Sequence, residues 1–105
     1  MEYATTRERI IEVLRSADRP LTAEEIASML GSEVTAKDVY EHVVHVARSL
    51  RSRSKGLEEL VMEPPYCKRC GFVFKDLSRP RKPSRCPRCK SEWIAPPRFT
   101  IVKRN

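Results

Sequence analysis

The sequence predicts an α+β protein: three helices, then a β-hairpin, with a small metal-binding module inserted between the hairpin strands. Three observations predict it. Thr5, Thr22 and Thr35 are each followed three residues later by Glu or Asp, and each opens a stretch of apolar residues at helical spacing. Two strand-like runs follow, over 57–63 and 99–103. All four cysteines fall between those runs, as two C-x-x-C pairs in CKRCGFVFKDLSRPRKPSRCPRCK, residues 67–90.

Thr5-Thr6-Arg7-Glu8 caps the first helix, whose apolar residues are Ile10, Ile11, Val13, Leu14 and Ala17. Asp18-Arg19-Pro20 ends it, and Pro20-Leu21 reads as a short extended link. Thr22-Ala23-Glu24-Glu25 opens a short second helix through Leu30, with Gly31 expected as a left-handed cap. Thr35 opens a longer third helix that runs to about Ser52. Its apolar face is Ala36, Val39, Tyr40, Val43, Val46, Ala47 and Leu50. A short helix, a tight turn and a longer helix form a helix-turn-helix candidate.

Pro64-Pro65 and Pro96-Pro97 bracket the cysteine segment. Proline cannot donate to a ladder, so each pair should end its strand. The expected division is therefore a helical domain over 1–63 and 98–105, and an insert over 64–97.

Cys67, Cys70, Cys86 and Cys89 have the spacing of a tetrathiolate site, C-x₂-C-x₁₅-C-x₂-C. Each C-x-x-C turn presents two sulfurs from one knuckle, and two knuckles complete a tetrahedron. Disulfides would suit a secreted chain, and a thioredoxin-like pair would need a βαβ unit; neither context is present in the pattern. Spacing alone does not separate zinc from iron. With no redox partner motif and a basic loop between the knuckles, one zinc per chain is the expectation and iron the lesser alternative. Four thiolates leave no open coordination position, which argues against metal-assisted hydrolysis. Tyr66, Phe72, Phe74 and Trp93 flank the knuckles. They are expected to cover the metal as a small core; stacking against bases is the sharper alternative.

The charge is uneven. Formal net charge is +7, yet residues 1–56 carry nine basic and nine acidic residues, and 57–105 carry twelve and five. Residues 64–98 alone carry ten basic against two acidic side chains, for +8. Four thiolates and a divalent ion would together lower these totals by 2, to +5 for the chain and +6 for the insert. Such a concentrated basic surface points to a nucleic-acid partner, with solvated surface charge as the plain alternative. The candidate DNA contacts are Lys37, Arg48, Arg51 and Arg53 on the third helix, and Lys68, Arg69, Arg79, Arg81, Lys82, Arg85 and Arg88 on the insert. The front of the third helix is less favourable, because Asp38 and Glu41 would face phosphates. The cations at the end of that helix either complement its dipole or extend the basic surface toward the insert.

No apolar run approaches a membrane span, and Met1-Glu2-Tyr3-Ala4 opens the sequence without the features of a signal peptide. A cytoplasmic protein with reduced cysteines is expected. The absence of Gln, a single Asn and 33% charged residues lean toward a thermophilic source. No phosphate loop, H-E-x-x-H or triad order is visible, so no enzymatic activity is expected.

The helical half with its hairpin resembles the winged helix-turn-helix fold. The whole chain, with CKRCG at 67–71 and CPRCK at 86–90, is similar to archaeal predicted transcriptional regulators in which a winged helix carries a rubredoxin-like zinc ribbon. The resemblance implies three helices plus a β-hairpin wing, a zinc ribbon inserted between the wing strands, and a role in transcription or DNA binding. Rubredoxin-like knuckles typically follow each C-x-x-C with Gly. Gly71 fits and Lys90 departs, so the second knuckle has to turn without that glycine. The function expected is a DNA-binding transcriptional regulator acting on double-stranded DNA. The alternative is a protein-interaction adaptor that docks on transcription-machinery proteins.

Overall fold

Each helix starts where its capping signature places it. The structure, a computed structural model, describes residues 5–104; the Met1 to Ala4 segment read for targeting lies outside the described residues, as does Asn105. Helix α1 (Thr6–Ser16) has Thr5 as cap. Thr5 Oγ1 accepts from Glu8 N at 3.1 Å, and Glu8 Oε1 accepts from Thr5 N at 3.0 Å. The same reciprocal pair recurs between Thr22 and Glu25 at α2 (Ala23–Leu30), and between Thr35 and Asp38 at α3 (Ala36–Arg53). Each box satisfies two backbone donors that the helix itself cannot pair.

Two expectations change at the helix ends. Ala17 lies just past α1 in extended backbone, although it still packs on the core. Gly31 has φ 120° and ψ 174°, so it is not a left-handed helical cap. That region is open essentially to glycine alone, and it turns the chain sharply toward α3.

The link after Pro20 is a strand, β1 (Leu21–Thr22). It pairs with β5 (Arg98–Lys103), which pairs on its other side with β2 (Glu58–Glu63), giving an antiparallel sheet of order β1-β5-β2. A two-residue strand has no readable alternation of its own. It forms here because Leu21 faces Phe99 across the ladder.

The helices and this sheet share one core. Ile10, Leu14, Ile26, Val39, Val43 and Leu50 are buried from the three helices. Phe99 enters from β5, fully buried, with its ring 6.2 Å from that of Tyr40 in an edge-on contact. Aromatic pairs prefer this arrangement because a ring edge is positive and a ring face negative.

β2 and β5 continue beyond the prolines. Glu63 lies opposite Arg98, and after the break Tyr66 lies opposite Ala95 in a second pair, β3 (Tyr66–Cys67) with β4 (Ile94–Ala95). The register is unchanged, so Pro64 falls opposite Pro97 and Pro65 opposite Pro96. The four prolines interrupt one long hairpin at matching positions, because none of them has an N–H to donate to the ladder. Pro65 and Pro97 are fully buried at this waist.

The direction of the hairpin decides where the cysteine module sits. α3 ends at Ser54, whose Oγ accepts from Glu58 N at 2.9 Å. Lys55 and Gly56 turn the chain with φ 56° and 83°, and β2 runs back along α3. The base of the hairpin, held by the Arg15–Glu58 and Arg104–Glu59 ion pairs, therefore lies at the end of α3. The module emerges from the other end, level with Tyr40 near the front of α3. The architecture is mixed α+β, with three helices, two small sheets and a cysteine module at the hairpin tip. Among the described residues no helix is long and apolar enough to cross a membrane.

Candidate metal centre

The two C-x-x-C turns fold alike. In the first, Cys67 N donates to Phe72 O at 2.8 Å and Gly71 N to Cys67 O at 2.9 Å. In the second, Cys86 N donates to Ser91 O at 2.8 Å and Lys90 N to Cys86 O at 3.0 Å. Each turn thus reverses tightly and aims two sulfurs inward. Lys90, where glycine was missing, takes φ 66° and turns as Gly71 does at 83°.

The four sulfurs converge from the two turns. Cys67 Sγ lies 3.5 Å from Cys89 Sγ, and Cys70 Sγ lies 3.6 Å from Cys86 Sγ. All four ligand atoms lie within 4.8 Å of one another. Zinc–sulfur bonds of ~2.3 Å in a tetrahedron require sulfurs about 3.8 Å apart. Disulfides would require about 2.05 Å. The donor set therefore fits one tetrahedral ion. Cys67 and Cys86 are buried, and Ile94, Phe72 and Phe74 pack around them, the two rings edge-on at 5.1 Å.

Backbone dipoles favour the thiolate at the first cysteine of each turn, whereas at Cys70 the Phe72 N–H is outweighed by burial and the neighbouring sulfurs, which push the thiol up to about 11. Burial pushes the Cys86 thiol up, but the N–H groups of Cys89 and Arg88, 3.4 and 3.3 Å from its sulfur, outweigh that and hold it at about 6. Burial likewise opposes ionisation of Cys67, and the N–H groups of Cys70 and Arg69 bring it below the ordinary thiol value. The first cysteine of each turn is thereby prepared as a ligand.

Phe72 and Phe74 cover the site as expected, but Tyr66 and Trp93 do not: they are 42% and 62% exposed. Strand alternation explains Tyr66: Cys67 points to the metal side of β3, so its neighbour Tyr66 points away. Trp93 lies just before β4, whose two residues Ile94 and Ala95 are both buried.

All eleven candidate DNA contacts are exposed, but they do not form one surface. Lys68, Arg69 and Arg88 lie on the two knuckles, and Arg79, Arg81, Lys82 and Arg85 on the loop that connects them. Arg85 lies 3.8 Å from Glu92, Lys68 Nζ stands over Trp93, and Arg88 over Phe72. Lys37 is at the front of α3, the end from which the module emerges. Arg51 lies by Gly56, Glu59 and Arg104 at the base of the hairpin, while Arg53 lines the groove between α1 and α3 beside Glu8. The cations at the end of α3 thus do not extend toward the insert. The hairpin carries the insert to the opposite end.

The fold and this centre define an α+β protein with a rubredoxin-like zinc ribbon, holding a single zinc ion in four cysteine thiolates. Comparison with known families names the group. Residues 5–61 match the family described as PF0610-like, N-terminal, and residues 64–104 match the PF0610 rubredoxin-like zinc beta-ribbon domain. The chain belongs to the PF0610-like family. It is similar to the solution NMR structure of protein PF0610 from Pyrococcus furiosus, at 34% identity and a TM-score of 0.70, over 99% of this chain and 96% of that one. No curated protein matches it.

Proposed function

We propose that the protein is a non-catalytic, cytoplasmic DNA-binding regulator of transcription, with its helical half acting as a winged helix-turn-helix and its zinc ribbon forming the tip of the wing. The element order α1-β1-α2-α3-β2-β5 and the sheet order β1-β5-β2 support the winged-helix reading. One observation carries the DNA reading: the hairpin carries the most basic segment of the chain toward the end of the molecule where α3 begins. The acidic Asp38 is occupied at the helix cap by Thr35, which leaves Glu41 as the carboxylate at the helix front. The ribbon cations would meet phosphates, and α3 would lie beside the groove. Zinc would act structurally, since its four positions are filled by thiolates.

The test is duplex binding followed by gel shift across a salt series. Replacing Arg79, Arg81, Lys82 and Arg85 with Ala should weaken binding and flatten the salt slope by up to about 3.6, at about 0.9 per phosphate contact. Replacing Arg51 and Arg53, at the other end of α3, should change it far less. Equal effects from both sets, or no duplex binding at low salt, would overturn this reading.

A protein-interaction adaptor is the second reading. It is favoured by the exposed acidic side chains Glu24, Glu33 and Glu41 on α2, the turn and the front of α3. Recovery of a basic transcription-machinery partner that Glu→Lys changes at these positions abolish would support it.

A further inference from the structure

The two sides of the ribbon differ. One side packs on the sulfur cluster, and on the other Tyr66, Val73 and Trp93 are exposed around the buried Ala95. Tyr66 precedes Cys67 on β3 and points away from the cluster, and the exposed Lys68 follows in the knuckle turn. Tyr66 lies directly opposite Val73, with Cys67 N donating to Phe72 O and Phe74 N to Pro65 O on either side. That is the non-hydrogen-bonded kind of pair, in which side chains approach closest. Across the other edge Lys68 N donates to Trp93 O at 2.9 Å, and Lys68 Nζ lies 5.8 Å from the centre of the Trp93 ring system. Tyr66, Val73 and Trp93 are 42%, 37% and 62% exposed. Single exposed apolar side chains are ordinary, but three aligned on one sheet face mark a contact surface.

We propose that this outer face binds unpaired nucleotides of a single-stranded nucleic acid. Trp93 supplies a stacking platform for one base, Tyr66 a second, and Lys68 and Arg69 meet the phosphates. Charge selects this occupant. The face belongs to a segment with ten basic and two acidic side chains, and Lys68 lies against it, so its charge is complementary to a polyanion. Single strands combine a phosphate chain with free aromatic faces, which duplex DNA keeps stacked inside. The inference rests on the ribbon binding nucleic acid, as in the proposed function, but assigns a different face and a different strand state.

Trp93 is the only tryptophan in the chain, so its emission reports this face alone. The zinc-loaded full chain is titrated with oligo-dT, oligo-rU and a mixed duplex, each about 20 nucleotides long, at low salt. Single strands should quench the emission, and Trp93→Ala should weaken their binding about tenfold or more by anisotropy of a labelled strand. Duplex binding should be unchanged by Trp93→Ala, and the ratio of oligo-dT to oligo-rU affinity tells whether DNA or RNA is preferred. Failure of single strands to quench, or undiminished single-strand binding by Trp93→Ala with its zinc intact, would overturn the inference. The quench is measured on the unaltered protein, so it decides the matter even if the variant loses zinc. Single-strand binding with quenching but no duplex binding would sustain this inference and overturn the duplex reading. Duplex binding alone would do the reverse.

Discussion

Gly71 and Lys90 hold the same place in the two knuckles: each follows a C-x-x-C, each donates its N–H to the carbonyl of the first cysteine, and both have positive φ, at 83° and 66°. A side chain in this region costs about 1 kcal/mol relative to glycine. Lys90→Gly should therefore stabilise the zinc-loaded protein by about 1 kcal/mol, and Gly71→Ala should destabilise it by a similar amount. A Cβ at Gly71 would meet no atom within 4 Å, so the second effect is backbone strain without a clash. Thermal melts of the two variants should move in opposite directions by a few degrees; movement in the same direction would contradict this account.

Zinc removal should act on one half of the molecule. The buried cluster around Cys67, Cys86 and Ile94 is separate from the helical core that contains Ile10, Val39 and Phe99. Chelation, or Cys86→Ser, should abolish the near-ultraviolet signal of the ribbon and its metal content of one zinc per chain. The helical far-ultraviolet signal should largely remain. Its complete loss would show that the two cores fold as one.

Phe99 lies in the second family segment by sequence but in the helical core by packing. Phe99→Ala should cost about 3–5 kcal/mol, as for other buried aromatic truncations, and lower the melting point of the helices. Zinc stoichiometry should not change. A variant that lost zinc while keeping its helices would reverse the assignment.

Glu25 carries a pH dependence. The Arg19 guanidinium, 2.6 Å away, and the Thr22 backbone N–H hold its carboxyl down to about 2 from an ordinary 4.5. The folded value is below the unfolded one, so the stabilisation is fully present above about pH 4.5 and disappears as pH falls toward 2. Glu25→Gln keeps a capping acceptor and removes the charge. Because the Glu25 side chain is 34% exposed, the loss at pH 7 should be discounted for screening to under about 1 kcal/mol. Comparing the melting points of the two proteins at pH 7 and near pH 2 checks this: the difference should close at low pH.

Local chemistry accounts for what was legible in the sequence alone. Threonine caps and their acidic partners lie three residues apart, so α1, α2 and α3 began where the sequence placed them. The cysteine spacing carried the metal centre for the same reason, since a tetrathiolate site is built from two short turns. Tertiary structure decided the rest. β1 exists only because Leu21 finds Phe99 far along the chain. The exposure of Tyr66 follows from which side of a two-residue ladder takes Cys67. The basic ribbon lies toward the end of the molecule where α3 begins because β2 folds back along that helix and the prolines keep its register with β5. Strand pairing joins residues distant in sequence, and a shift of one residue reverses every side chain, so those placements required the folded chain.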